Sequence, residues 1–263
     1  MLKKLLKYDI KYVYKVLIVF YILSLFFAIL TRLVGTINDT SITKIIYAIL
    51  NGITISMMFS IIFNTIMRLW SRLVINFYKD EAYLTHTLPV DKKTLFKSKY
   101  LSCIITLFIS MVIITLTIFI AYYSKENMNI LRNTLLVVGN AYQINMTKLI
   151  VFILVVCFLE ILSVISSGYI GLILGHRRND KRILYSILFG FIIYISFQVL
   201  VLIGIYILGL FNSGVMSIFT SNNIISAKTL NIVLYFSSFI YIVINYVLYL
   251  FSIKTFNKGV NIE

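Results

Sequence analysis

Long runs of apolar residues alternate with short polar segments along the whole chain. Six runs are long enough to cross a bilayer, which takes about 20 apolar residues, and they cover 16–34, 45–67, 100–123, 149–175, 183–211 and 232–251. Backbone groups in lipid must find their hydrogen bonds within the chain, and the strands of a membrane barrel take only about 10 alternating residues. The pattern predicts an all-α polytopic membrane protein with six transmembrane helices, forming a single domain over 1–263.

Composition excludes a water-soluble protein. The chain is 60% hydrophobic and 13% charged, whereas soluble domains carry about 25% charged residues. No polar segment is long enough to form a separate soluble domain. Richness in Ile, Lys, Asn and Tyr is typical of an AT-rich bacterial genome, so we expect a multi-pass protein of a bacterial cell membrane.

The net charge of +15 indicates how the chain is oriented in the membrane, and it does not indicate a nucleic-acid partner. Eighteen of the 24 Lys and Arg residues lie before the first run, between runs two and three, between runs four and five, or after the last run. Since basic residues concentrate on the cytoplasmic side, both termini are predicted to be cytoplasmic. The basic residues flank apolar runs and form no single solvated patch, so the expected partner is the lipid bilayer and not nucleic acid.

The first fifteen residues interleave Leu2, Leu5 and Leu6 with five lysines. This pattern predicts a short helix over 1–15 that lies in the membrane interface, with its lysines against anionic headgroups. A frayed basic tail is the alternative.

The segment 68–99 is the most elaborate polar connection, and it contains the single proline. Residues 79–88 can form a short helix that Pro89 ends, because a proline disfavours helix at the residue before it. Asp91 can cap a new helix that begins at Lys92. The pattern predicts a stiff, charged loop held close to the membrane; a solvated connector that serves only topology is the alternative.

Residues 80–90 (DEAYLTHTLPV), with Leu95, Lys97, Ser98 and Lys99, resemble the first cytoplasmic loop of type-2 ABC exporter permeases. These permeases are the membrane subunits of bacterial transporters that have a separate ATPase. The order of the parts is also similar to that family, as is the sequence SGYIGLILGH that ends the fourth run.

The resemblance implies that two permease subunits, identical or different, form the substrate path and that two ATPase subunits press on the loops. Glu81 matches the family's acidic loop position, and Leu84, Leu88 and Pro89 match its hydrophobic docking turn; His86 completes the implied ATPase-coupling set at a more variable position. ATP and Mg would bind to the partner ATPase, while this chain would bind no cofactor or metal and would not itself be an enzyme. In agreement, the chain has no G-x-x-x-x-G-K-[ST] phosphate loop.

Glu160 is an acidic residue deep within the fourth run. A charge at the bilayer centre costs about 2.5–3.5 kcal/mol, so such residues usually face other helices. Ser163, Ser167 and Gly171 lie on the same side of the helix and form a seam of small residues that allows close approach. Glu160 is therefore expected to face a neighbouring helix or a second subunit. It could contribute to the substrate path or its gating, or it could be a protonated structural glutamate that is hydrogen-bonded across a contact between helices.

A polar stripe of Ser56, Ser60 and Asn64 follows the second run at four-residue spacing. The stripe could line a conduit, or it could form hydrogen bonds between helices, which contribute about 0.6 kcal/mol each on average.

Together these patterns favour the permease subunit of an ATP-driven exporter, with an amphiphile such as an antimicrobial peptide or lipophilic drug as cargo. Two other functions stay open: a stand-alone membrane immunity or sensor protein that uses no ATP, and an ion-coupled secondary transporter. A membrane-embedded enzyme is disfavoured, because no Ser/His/Asp or Cys/His set converges on one side of the membrane.

Overall fold

The computed structural model describes residues 1–37, 40–79, 81–141, 146–178, 180–220 and 226–257, and nearly all of them are helical. Nine helices follow one another in these ranges: α1 (Leu2–Gly35), α2 (Ser41–Tyr78), α3 (Ala82–Thr87), α4 (Lys92–Tyr122), α5 (Lys125–Ala141), α6 (Met146–Gly175), α7 (Arg182–Phe211), α8 (Ser213–Thr220) and α9 (Ala227–Asn257).

The prediction of six helices able to span a membrane is confirmed. In the described part of the chain, α1, α2, α4, α6, α7 and α9 are long and apolar enough to do so. At 1.5 Å per residue, the 38 residues of α2 extend about 57 Å, nearly twice the roughly 30 Å of a bilayer's hydrocarbon core. The longest helices therefore continue past the apolar layer, and polar side chains near their ends can meet outside it.

Local chemistry sets where helices begin and end. Thr40 and Thr43 form a capping box at the start of α2, since each hydroxyl accepts a hydrogen bond from the other residue's backbone N–H. A short helix before Pro89 is confirmed as α3, although it covers Ala82–Thr87 and is shorter than the predicted 79–88; α4 begins at Lys92 as predicted. Asp91 occupies the N-cap position, but its side chain makes no capping hydrogen bond.

The chain divides into two compact units. Unit 1 comprises Met1–Asn129, and within it α1 packs against α2 and α4. Apolar side chains fill its centre, and hydroxyl groups connect the helices. Tyr21 Oη and Thr65 Oγ1 lie 2.7 and 2.8 Å from Ser110 Oγ, and Thr31 Oγ1 lies 2.8 Å from Thr54 Oγ1. Each of these contacts satisfies polar groups that lipid cannot.

Unit 2 comprises Ile130–Glu263, and within it α6 packs against α7 and α9. Ile170 from α6, Val201 from α7, and Ile244 and Leu248 from α9 form one buried apolar cluster. This cluster holds the three helices together beside the polar site described below.

Two features differ from the expectations. Residues 1–15 do not form a separate helix, because α1 runs from Leu2 to Gly35 without a break. The segments after the third and fifth apolar runs, which hydropathy left without structure, contain α5 and α8. Asp80 of the loop motif, and Asn179 and Lys258 of the predicted cytoplasmic segments, lie outside the described residues.

Candidate functional site

The connection between α2 and α4 is shorter than the segment 68–99. Helix α2 continues to Tyr78 and α4 begins at Lys92, so residues 79–91 alone join them, with α3 in the middle. The implied coupling residues all lie in this connection, and the structure divides them into two groups.

The first group faces outward. Leu84 and Leu88 are 73% and 44% exposed, Tyr83 is 68% exposed, and Pro89 is exposed beside them. Leu84 and Leu88 are four residues apart, a spacing that places two side chains on one face of a helical turn. We call these four residues the α3 tip. It presents a small apolar surface at the end of a charged connection.

The second group faces inward and attaches α3 to the end of α2. A ring nitrogen of His86, Nε2, lies 3.2 Å from the backbone oxygen of Phe77. The Glu81 carboxylate accepts hydrogen bonds from Arg72 Nη1 at 2.7 Å and from Asn76 Nδ2 at 2.8 Å. Glu81 and His86 therefore position the tip, and Leu84, Leu88 and Pro89 are the residues free to touch a partner.

Arg72 connects Glu81 to a buried carboxylate that sequence reasoning missed. Asp9 of α1 accepts a hydrogen bond from Arg72 Nε at 3.0 Å and another from Ser98 Oγ at 2.6 Å. Lys99 Nζ donates to the same Asp9 oxygen as Arg72. We call this set the Asp9 cluster, and its members are Asp9, Arg72, Asn76, Glu81, Ser98 and Lys99.

The charged side chains of the Asp9 cluster are mostly buried, so they need these contacts to compensate their charges. The side chains of Asp9 and Lys99 are 3% and 5% exposed, that of Arg72 is 9% exposed, and that of Glu81 is 40% exposed. Two acids and two bases leave no net charge, and a buried charge is tolerated when it is paired and hydrogen-bonded. Glu81 is the one charged member that reaches water, so the link from the cluster to α3 is its most easily opened contact.

The sequence held one signal for this cluster. Asp9 is the single acidic residue among the five lysines of residues 1–15. The charge pattern places Arg72 and Lys99 among the basic residues that flank the apolar runs, and hydropathy cannot separate a solvated cation from one that is paired in the interior. The partners are 63 and 90 residues from Asp9 along the chain, so only helix packing brings them together.

In unit 2, Glu160 faces α7. Its Oε1 atom accepts hydrogen bonds from Tyr194 Oη at 2.6 Å and from Gln198 Nε2 at 2.7 Å. Tyr241 of α9 donates to Gln198 Oε1 at 3.1 Å. We call Glu160, Tyr194, Gln198 and Tyr241 the Glu160 cluster. The other carboxylate oxygen, Oε2, is enclosed and has no hydrogen-bond partner among the described residues.

The small residues of α6 also face α7. A methyl group added at Gly171 would lie 2.5 Å from backbone atoms of Gly190 and Ser186, so the two helices touch at the backbone there. Ser163 and Ser167 are buried on the same side, but each donates its hydroxyl hydrogen to a carbonyl of α6 itself. Glu160 thus lies on a tightly packed contact between helices.

The residues of the polar stripe of α2 are not the ones that form hydrogen bonds to the other helices of unit 1. Asn64 Nδ2 donates to the backbone oxygen of Ser60 at 2.9 Å, within α2, and Ser56 is exposed. Thr54 and Thr65 make the hydrogen bonds to α1 and α4 instead. Within this unit Ser56 is exposed, while Ser60 and Asn64 are half-buried.

The coupling residues thus belong to unit 1, and the Glu160 cluster belongs to unit 2. No group of three or more His, Cys, Asp or Glu residues that could hold a metal occurs among the residues that the structure describes. A scan of family models found no match to the chain, and comparisons with curated proteins and with solved structures found none either.

Proposed function

We propose that this chain is the membrane-spanning permease subunit of an ATP-driven exporter in a bacterial cell membrane. It would pair with a second permease subunit and with a separate ATPase that binds ATP and Mg. The observation that supports this proposal most is the α3 tip, an exposed apolar surface beside two inward-facing residues, Glu81 and His86, which we call the anchors.

The exposed leucines of the tip suit docking to another protein. Solvated connections are normally polar, whereas clustered apolar side chains with a polar rim are typical of interaction sites. The tip combines Leu84 and Leu88 with an adjacent tyrosine and proline, and lysines flank it on both sides. A cleft in an ATPase subunit is the partner that the resemblance of this loop to exporter permeases implies.

The anchors provide a route from the tip to the transmembrane helices. A force on α3 passes through Glu81 to Arg72 on α2, and Arg72 shares Asp9 of α1 with Lys99 of α4. The three long helices of unit 1 therefore end in one cluster that also holds α3. Closure of the ATPases on ATP would move these helix ends together and switch the path from inward to outward access, with an amphiphile as cargo.

The test is a mild-detergent pull-down of the native protein from its own membranes, with ATPase activity measured on the eluate. Leu84→Ser is the informative variant, because its side chain is 73% exposed and its loss leaves the Asp9 cluster intact. Glu81→Ala is less suited, since it also removes a partner of Arg72. Leu131→Ser is the matched control, because Leu131 is an exposed leucine on α5.

We expect an ATPase to accompany the wild type and the Leu131 variant, and to be lost or uncoupled in the Leu84 variant. If no ATPase accompanies the intact protein, the proposal fails. An ATPase that binds all three proteins equally and shows the same activity with each would remove the tip from the mechanism.

The Glu160 cluster favours a second candidate, an ion-coupled secondary transporter. Hydrogen-bonded carboxylates within spans are common on ion pathways, and each compact unit contains three of the six spanning helices. Transport that follows a proton gradient and continues without ATP would establish this candidate and exclude the first.

A further inference from the structure

Helix α5 has an apolar half and a polar half. At about 100° per residue, most apolar residues from 126 to 137 fall on one half, and they are Met128, Ile130, Leu131, Leu135 and Val137. The opposite half carries Glu126, Asn129, Arg132 and Asn133. Three residues break the pattern, since Asn127 and Thr134 lie on the apolar half and Leu136 lies on the polar half. The pattern is that of an amphipathic helix.

The described part of the chain leaves the apolar half of α5 uncovered. Between residues 126 and 137 Leu135 is half-buried, and the other side chains are exposed, including Ile130 at 58% and Val137 at 69%. The packing of the two units comes from other helices, namely α1, α2 and α4 in unit 1 and α6, α7 and α9 in unit 2. Apolar side chains that protrude together in this way mark a surface that meets a protein or a membrane.

The membrane boundary lies next to the start of α5. The rings of Phe119 and Tyr123 lie 4.7 Å apart and are both exposed, and Arg32 Cζ of α1 lies 5.7 Å from the centre of the Tyr123 ring. Tyrosine rings and the charged ends of long basic side chains collect at the level of the lipid headgroups. Tyr123 and Ser124 alone separate α4 from α5, so α5 begins at this level.

The chain returns to the boundary directly after α5. Near the start of α6, Lys148 Nζ lies 5.1 Å from the centre of the Tyr235 ring, and that ring contacts Phe152 at a centroid distance of 4.9 Å. Among the described helices, α5 is not one of those long and apolar enough to span a membrane. Helix α4 therefore ends on the side where α6 begins, and both ends of α5 are tied to one membrane surface.

The chain is too short for α5 to stand upright on that surface. Its 17 residues extend about 25 Å at about 1.5 Å per residue. From Ala141 to Lys148 the chain reaches at most about 21 Å, because it enters α6 at Met146 and rises only about 1.5 Å per residue from there. Helix α5 must therefore lean toward the membrane, and lipid is the apolar surface within its reach.

The charges of α5 nearly cancel. Lys125 and Arg132 oppose Glu126, which leaves one net positive charge. The binding of an interfacial helix grows with the apolar area that it buries and with its attraction to anionic headgroups. The apolar half therefore accounts for most of the expected binding, and zwitterionic lipid is sufficient.

We propose that α5 is a membrane-interface helix whose apolar half inserts into the lipid, so that its binding partner is the bilayer surface. The helix then fixes the connection between the third and fourth spans to the membrane. This proposal goes beyond the proposed function and does not depend on it, because it needs no ATPase and no cargo.

The test measures spin-label accessibility along α5 in the full chain, reconstituted in phosphatidylcholine nanodiscs. Oxygen concentrates in lipid and a nickel chelate stays in water, so the two collision rates show which surroundings a label meets. Each label is attached to one introduced cysteine in a Cys157→Ser background, in which Cys103 is fully buried.

Four exposed positions form two matched pairs. Leu131→Cys and Leu136→Cys replace the same residue type on opposite halves of α5, at side chains that are 47% and 39% exposed. Thr134→Cys and Asn133→Cys replace two adjacent polar residues, again on opposite halves. The pairs separate the half of the helix from the residue type, and substitutions at exposed positions leave the packing of the chain unchanged.

We expect the labels at positions 131 and 134 to collide more with oxygen, and those at 136 and 133 more with the nickel chelate. The ratio of the two rates therefore shifts in the same direction in both pairs, although only one pair changes apolar residues. Nickel access at all four positions would place α5 in water and overturn the proposal. Protection of positions 131 and 134 from both reagents would also overturn it, since protein, such as a second copy of the chain, would then cover the apolar half.

A second set of nanodiscs contains anionic phosphatidylglycerol. The same accessibility pattern is expected in both sets, because α5 has little net charge. A pattern that appears only in the anionic nanodiscs would overturn the apolar half as its cause.

Discussion

Asp9→Asn tests whether the Asp9 cluster holds unit 1 together. Asparagine has the shape of aspartate without its charge, so Arg72 and Lys99 lose the carboxylate that both contact. The cluster then contains two cations and one anion. The remaining anion, Glu81, contacts Arg72 and is 40% exposed, so it compensates the charge of the buried Lys99 only weakly.

The expected loss of stability is large because the affected groups are buried. The side chains of Asp9 and Lys99 are 3% and 5% exposed, so water does little to screen the unpaired charge. Removing one member of a buried ion pair costs about 3–5 kcal/mol. We expect the free energy of unfolding to fall by about this amount, which exceeds the roughly 1 kcal/mol of a typical substitution.

The chain supplies its own probe for this measurement. Cys103 is fully buried in α4, and Cys157 is exposed. In a Cys157→Ser background, a thiol-reactive fluorophore reports the exposure of Cys103 as the protein is heated in detergent. Asp9→Asn should react at a clearly lower temperature than its parent.

Asp91→Asn is the matched control. It makes the same chemical change in the same unit, but Asp91 is exposed and its side chain makes no capping hydrogen bond. Its effect should stay within about 0.5 kcal/mol. Equal melting of the Asp9 and Asp91 variants would refute the reasoning. Adding Lys99→Met to Asp9→Asn should restore part of the loss, because it removes the surplus charge, and non-additivity is expected for residues in contact.

Two further predictions concern packing. Gly171→Ala should destabilise the protein by about 1–3 kcal/mol, because its methyl group would lie 2.5 Å from the backbone of Gly190; Gly52→Ala, which meets no atom within 4 Å, should stabilise it by about 1 kcal/mol, and thermal unfolding of both variants measures the contrast. A maleimide should spare Cys103 in the folded protein in detergent and modify it after unfolding, because this thiol is fully buried; mass spectrometry of the labelled chain checks this, and rapid modification of Cys103 in the folded protein would contradict its buried position.

The helix ends in the α2–α4 connection were predictable from the sequence, but the roles of its side chains were not. Proline chemistry gave the end of α3, and the start of α4 at Lys92 followed from the residues around Asp91. That Glu81 points inward while Leu84 points outward could not be read from the motif, because Arg72 and Asn76 lie on another helix. Residue type alone does not tell an acidic docking residue from an acidic anchor.

The sequence by itself determined the six apolar helices, because a backbone in lipid must satisfy its own hydrogen bonds and apolar length is a local property of the chain. It also marked Glu160 as a polar residue in apolar surroundings. Only the tertiary structure decided the partners. Glu160 meets Tyr194 and Gln198 from 34 and 38 residues away, and Asp9 meets Lys99 from 90 residues away. Such contacts depend on how whole helices pack and on their rotation about their axes, and hydropathy contains no information about either.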